Sequence, residues 1–293
     1  MPAVRLDLLV AGACRQLERV ARRGGRWRPI AFPALVGVIR HPTAGVVLYD
    51  AGYSPRFHAE TARLPYWFYS RATPVRCAPE ETAVAQLAGV GIAPTDVSLI
   101  IVSHFHADHV GGLKDFPAAQ FRYLRPALDP AWRSRSAVAN AWHGFLPGHL
   151  PPDFAERSTL VEDCHRVPVA GLGFGGAVAG GTASGGAGGG FDLLGDGSLI
   201  GLDLSGHAPG QLGLLLPRTP GPPVALLGDA CWNIRAITDD ELPHPVTRLI
   251  TADPRGYRAQ IAALRGLASA RPELRLVPSH CQASIDLARR ELS

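Results

Sequence analysis

Seven consecutive residues, Ser103-His104-Phe105-His106-Ala107-Asp108-His109, hold three histidines and one aspartate. They follow directly on Val97–Val102, a short β-branched and apolar run of the kind that forms a buried strand. A chain that leaves a buried strand through so many imidazoles must either bring them to a solvated surface or give them something to bind. A loop leaving a strand can turn His104 and His106 toward one cation, and Asp108 and His109 toward a second beside it. Neutral imidazole nitrogens and a carboxylate oxygen suit Zn²⁺, with Mn and Fe as alternatives. Val110-Gly111-Gly112 then closes a compact turn, which a surface histidine cluster leaves unexplained.

Three further residues stand at the ends of expected strands. Leu199–Leu204 runs into Ser205-Gly206-His207, Val224–Leu227 into Gly228-Asp229, and Leu274–Val277 into Pro278-Ser279-His280. With the cluster they make five histidines and two aspartates, enough for two metal ions with about three protein ligands each and a bridging carboxylate. Leu35–Arg40 and Val46–Asp50 read as a β-hairpin, Gln120–Leu124 and Leu212–Leu216 as further strands. A helix is expected to open at Pro79-Glu80-Glu81 and to end at Gly89 and Gly91, and another spans Gly256–Ala270 with Ile261, Leu264 and Leu267 on one face. Residues 126–155, rich in proline and tryptophan, read as a lid over the core. Residues 171–190 contain eleven glycines, too little side chain to offset their ordering entropy, and read as a flexible insertion in a single domain spanning 1–293. That stretch lacks the Lys-Ser/Thr of a phosphate-binding loop.

Composition narrows the partners. Apolar residues make up 46% and charged residues 18% of the 293, which is globular rather than disordered. The net charge is +4, carried almost wholly by arginine (Lys114 is the only lysine), with no dense cationic run interleaved with aromatics, so nucleic acid is not the expected partner. Five widely spaced cysteines without a CxxC pair suggest free thiols in a reducing compartment. No apolar run approaches a membrane span and none at the N-terminus reads as a signal peptide, so a cytoplasmic protein without a membrane partner is expected.

The pattern His104-x-His106-x-Asp108-His109, Gly206-His207, Gly228-Asp229 and Ser279-His280 resembles the metallo-β-lactamase superfamily in its dinuclear hydrolase form. The resemblance implies an α/β fold, an αββα sandwich of two mixed β-sheets with outer helices. Carried over residue by residue, it implies His104, His106 and His207 around a first metal, Asp108, His109 and His280 around a second, and Asp229 bridging the two. Asp50, at the acidic strand end of Leu48-Tyr49-Asp50-Ala51-Gly52, would orient a ligand histidine through its other ring nitrogen. The Ser-His-x-His-x-Asp-His motif and the Gly206–Gly210 turn are most similar to N-acyl homoserine lactonases. The departure is Trp232, which stands where those enzymes carry a tyrosine against the substrate carbonyl; an indole N–H donates a hydrogen bond but has no phenol chemistry. Zinc β-lactamases place a cysteine where Asp229 stands, and di-iron flavoproteins a glutamate in place of His106.

The implied reaction is attack on a carbonyl by hydroxide shared between two divalent ions, with Asp108 or Asp229 carrying the proton. Trp67, Phe68, Tyr69 and Phe145, with Trp232, would line an apolar groove for the acyl part of a small lactone, ester or thioester. An iron-dependent persulfide dioxygenase and a phosphodiesterase are the alternatives, and a homodimer is compatible with any of these readings.

Overall fold

The computed structural model describes residues 1–128, 136–169 and 189–293. Among the described residues thirteen strands form two sheets. The first joins β1 (Arg5–Leu17), β2 (Pro29–His41), β3 (Gly45–Tyr49), β4 (Val75–Arg76), β5 (Val97–Ile101), β6 (Gln120–Tyr123) and β7 (Ser158–Leu160) in the order β4-β1-β2-β3-β5-β6-β7. The second joins β8 (His165–Pro168), β9 (Gly189–Asp192), β10 (Ile200–Asp203), β11 (Leu212–Leu216), β12 (Val224–Gly228) and β13 (Arg275–Pro278) in the order β13-β12-β11-β10-β9-β8. Both sheets are mixed: β3, β5, β6 and β7 run parallel, as do β12 and β13, and the remaining pairs are antiparallel.

The alternation of side chains along each strand sorts the core into layers. Leu35 and Ile39 of β2, Tyr49 of β3 and Ile101 of β5 meet Leu212, Leu214, Leu216 and Leu226 of the second sheet in one buried cluster between the sheets. The intervening residues Val36, Val38, Leu48 and Ile100 face outward and are covered by Leu87, Val110, Leu113 and Phe116. On the far side Ile200, Leu202, Leu215 and Leu227 pack beneath Ile261, Leu264 and Leu267 of the helix Pro254–Ala270. Sheet faces sheet and helices cover both outer faces, the expected αββα sandwich.

Several sequence expectations shift in detail. The helix at Pro79 is a short 3-10 turn, Pro79–Glu81, after which Thr82 caps a separate helix Ala83–Ala88 by accepting from Ala85 N. Tyr66–Ala72 is a helix. In the lid segment, Ala137–Trp142 is helical, while 129–135 lie outside the described residues. Most of the glycine-rich stretch, 171–188, also lies outside them; its last two glycines, Gly189 and Gly190, begin β9 and pair with β8, so the expected insertion ends before them.

Candidate metal centre

The chemistry-bearing residues lie where strands end. β3 and β5 are parallel neighbours with Tyr49 opposite Ile101, so Asp50 and the segment 103–109, a loop that passes into the one-turn helix Ala107–Val110, emerge side by side. β12 and β13 are likewise parallel, which brings Asp229 and His280 to one edge. Two bonds tie the edges of the sheets together: Leu212 N donates to Ser103 O (2.8 Å), and Tyr49 Oη to Leu212 O (2.7 Å). Gly228 hands β12 over to Asp229 in the left-handed region (φ +55°), where a Cβ would press on Gln211 Nε2 at 2.9 Å and Tyr49 Oη at 3.1 Å.

Two groups of donor atoms result, His104, His106, His207 and Asp229 in one and Asp108, His109 and His280 in the other, the atoms of each lying within 4.8 Å of one another. In the first, His104 Nε2 and His207 Nε2 stand 3.0 and 3.2 Å from His106 Nδ1. In the second, His109 Nε2 and His280 Nε2 stand 3.4 and 3.3 Å from Asp108 Oδ2. Asp229 touches both: its Oδ2 lies 3.3 Å from His207 Nε2, and its Oδ1 lies 3.3 Å from His109 Nε2 and 3.1 Å from His280 Nε2. Six of the seven are buried and His106 half-buried.

The opposite ring nitrogens are held from behind. Asp50 Oδ2 meets His109 Nδ1 at 2.7 Å while its Oδ1 accepts from Ser103 N at 2.7 Å. Asp50 adopts a left-handed conformation (φ +61°), which a short polar residue tolerates and which aims its carboxylate back at the loop. Ser103 Oγ partners His104 Nδ1 at 3.1 Å, and Pro33 O partners His280 Nδ1 at 2.8 Å. Each of these contacts leaves Nε2 turned to the centre.

The electrostatics divide in the same way. Burial drives the histidines of the first group down, His104 well below the usual range and His207 to about 3, so they are neutral with lone pairs available. Burial acts on His109 in the same sense, but Asp108, Asp50 and Asp229 outweigh it and hold His109 well above its usual value. Burial would raise Asp229, yet His280 and His109 hold it well below the carboxylate range. His109 Nε2 and Asp229 Oδ1 are buried without a hydrogen-bond partner among the described residues. Carboxylates and imidazoles crowded at one buried point, with a ring nitrogen and a carboxylate oxygen left without hydrogen bonds, are costly in protein alone and are relieved by cations, so the residues fit a pair of metal ions.

A cavity of about 600 Å³ opens over this floor. Of the aromatic residues expected to meet substrate, Phe68, Tyr69 and Trp232 line it. Trp67 and Phe145 do not. Trp67 packs edge-on to Phe68 with Arg71 over its ring, on the outside of its helix, and Phe145 is buried against Phe105 beneath the wall. Trp232 Nε1 donates to Asp229 Oδ2 at 3.0 Å, so its one donor is taken up by the carboxylate. Cys14, Phe32 and Tyr53 also line the cavity; they come from β1, β2 and the segment after Asp50, and no spacing in the sequence marks them. Gly144 (φ +65°) leaves room at the floor, since a Cβ there would lie 3.1 Å from the His106 ring and 3.5 Å from Tyr69 Oη. Cys231, two residues after Asp229, is buried and donates to Asn233 O, and burial pushes its thiol up.

Comparison with known proteins agrees with this geometry. The model of the metallo-beta-lactamase superfamily matches residues 29–280. N-acyl homoserine lactonase AttM of Azorhizobium caulinodans is 26% identical over 254 residues, 83% of this chain and 82% of that protein. AttM of Agrobacterium fabrum is 25% identical over the same shares. A solved structure described as an N-acyl homoserine lactone hydrolase with the product N-hexanoyl-L-homoserine bound at its catalytic metal center superposes with a TM-score of 0.69 at 18% identity, covering 98% of this chain and 97% of the other. That likeness confirms the fold. Together with the His/Asp groups, these findings support a metal-dependent hydrolase.

Proposed function

As the chain belongs to the metallo-beta-lactamase superfamily, we propose that it hydrolyses a lactone, ester or thioester of a hydrophobic acyl group at a dinuclear centre, most readily of zinc. The observation that carries this reading is Asp229, one carboxylate reaching both histidine groups at 3.1 to 3.3 Å beneath a largely apolar cavity. His104, His106 and His207 would hold one ion, Asp108, His109 and His280 the other, and Asp229 would bridge them. When bound, such ions make hydroxide available at neutral pH and polarise a carbonyl oxygen.

The chain's own residues supply the rest. Phe32, Phe68 and Trp142 offer apolar walls to an acyl chain and exclude water from it. Tyr69 Oη, close beside the His106 ring and Gly144, is a phenolic donor able to hold a substrate oxygen, a task Trp232 cannot share while its N–H is bound to Asp229. Asp108 and Asp229 are the carboxylates within reach of a proton released at the centre. Among the described residues no arginine or lysine lines the cavity, which disfavours a phosphodiester, whose charge calls for a cationic clamp. The similarity to AttM lactonases supports a lactone first.

The test is metal content by mass spectrometry, followed by a lactone, ester and thioester panel on Zn-, Mn- and Fe-loaded protein. About two equivalents of metal and hydrolysis of at least one acyl class are expected, and His106→Ala should lose both with the fold kept. Well under one equivalent of metal, or His106→Ala hydrolysing like the wild type, overturns the reading.

A further inference from the structure

The mouth of the cavity differs from the rest of the surface. Four segments form it: 15–28, 63–73, 136–144 and 244–251 each contribute lining residues, among them Val20, Phe68, Val138 and Ile250. They are contiguous, with the Trp27 ring 5.9 Å from that of His244. Of the thirteen large hydrophobic residues exposed among the described ones, ten lie on these four segments. Trp27 is 66% exposed, Phe68 64% and Trp142 62%, with Leu64 and Leu249 still more open. A concentration of this kind marks a contact surface rather than scattered exposed side chains.

The same segments carry nine arginines against one acid, Glu18, a net +8 on a chain whose total is +4, so the remainder carries a net −4. Arg22 and Arg28 are tied to Glu18, and Arg22 also to Glu241. Among the described residues the other seven form no ion pair. Two such faces brought together as a symmetric dimer would repel each other, because like charges would meet across the contact. Tryptophan, leucine and arginine on one face instead match a bilayer: apolar side chains reach the acyl boundary, indoles sit at the headgroup level, and arginines meet anionic phosphates.

We propose that the rim of the cavity docks on an anionic lipid surface. Among the described residues no helix is long and apolar enough to cross a membrane, so the contact proposed is one of resting on a bilayer, and it would replace the expectation of no membrane partner. The docking stands on the rim alone. Its consequence, that an acyl substrate enters the cavity directly from the bilayer, rests on the hydrolase reading above.

The full chain would be sedimented with vesicles of equimolar phosphatidylglycerol and phosphatidylcholine, and with phosphatidylcholine alone. It should pellet with the first and remain in solution with the second, and added salt should release it. Each arginine at such a surface is worth roughly fivefold in binding, so Arg26→Glu/Arg63→Glu/Arg248→Glu, which removes three positive charges and adds three negative ones, should weaken partition by at least about 100-fold. Leu64→Ser/Leu249→Ser should weaken it by at least about tenfold through lost insertion. Unchanged metal content and thermal midpoint would show both variants folded. The proposal fails if the wild type binds neither vesicle, if it binds both equally, or if either variant binds like the wild type. It also fails if the leucine variant instead dissolves a dimer in sedimentation equilibrium, which gives the face to a second copy, or if duplex DNA is bound in preference to the vesicles. Absence of hydrolysis in every arm would sink the enzymatic reading and leave the vesicle result standing.

Discussion

The floor and the rim of the cavity are built on opposite principles. At the floor the candidate metal ligands follow directly on strands or on the one-turn helix Ala107–Val110 that closes the loop after β5, and three of the histidines are gripped from behind by Asp50, Ser103 Oγ and Pro33 O. The rim is carried by short helices and turns, Tyr66–Ala72, Ala137–Trp142 and Pro245–Leu249, whose large side chains stand in solvent. On the proposed reading, chemistry that needs atoms placed to a fraction of an ångström sits on the sandwich, and contacts with variable apolar partners sit on segments that few buried side chains hold in place.

The most drastic way to break that contrast is to remove the group both halves of the floor share. Asp229→Ala deletes the one carboxylate touching His207, His109 and His280, and hydrolysis should fall by at least about 10³ with less than two equivalents of metal retained. Steady-state kinetics beside metal analysis would check it. Activity within tenfold of the wild type would mean that the floor does not act as a unit.

A second test sets the floor histidines against His149, which is fully buried below the rim with neither ring nitrogen hydrogen-bonded among the described residues. Burial, helped by Arg56 and Lys114, pushes its pKa down to about 4. A histidine whose folded value lies below its unfolded value of about 6.5 takes up its proton more readily when unfolded. Its contribution is therefore complete above pH 6.5 and is lost as pH falls toward 4, an effect on the order of 3 kcal/mol. Unfolding midpoints at pH 7 and near 4.5 should show a smaller acid loss in His149→Phe than in the wild type. Taking the difference cancels metal release, which is common to both; equal slopes would refute the assignment.

Asp50→Asn should have the next largest effect. It keeps the shape and removes the charge behind His109 Nδ1, so metal affinity should weaken by about 10- to 100-fold with little change in stability. Competition with a chelator measures it, and unaltered affinity would show that Asp50 only shapes the loop.

The floor was legible in the sequence because its signal is local or sits at a boundary: 103–109 is one motif, and His207, Asp229 and His280 each close a short apolar run. β1 carries no such signal, because Asp7 and Arg15 interrupt its apolar residues and Leu8–Ala11 shows only as a patch. The helix Gln282–Leu292 is equally silent, since its buried face is no more than Ser284, Ile285 and Ala288 directly after His280. With β1 unread, Cys14 could not be placed in the cavity wall. The rim was illegible for a related reason, since four segments far apart in the chain meet there only through the fold.

Trp67 and Trp142 make the finest test, because the sequence treats two exposed aromatic residues alike and the structure does not. Both stand on short helices that pack together, but only Trp142 turns a face into the cavity, while Trp67 lies under Arg71 outside it. Trp142 is 62% exposed, so an acyl chain would cover only part of its ring, and Trp142→Ala should raise KM for a long-chain substrate about fivefold with kcat unchanged. A short-chain substrate, ending before the mouth, should be indifferent to the change. Trp67→Ala should alter neither constant in solution. If both variants raise KM equally, the wall of the cavity extends over the whole aromatic helix. If neither does, the acyl chain leaves by another path, and the separation of a rigid floor from an adaptable rim loses its functional meaning.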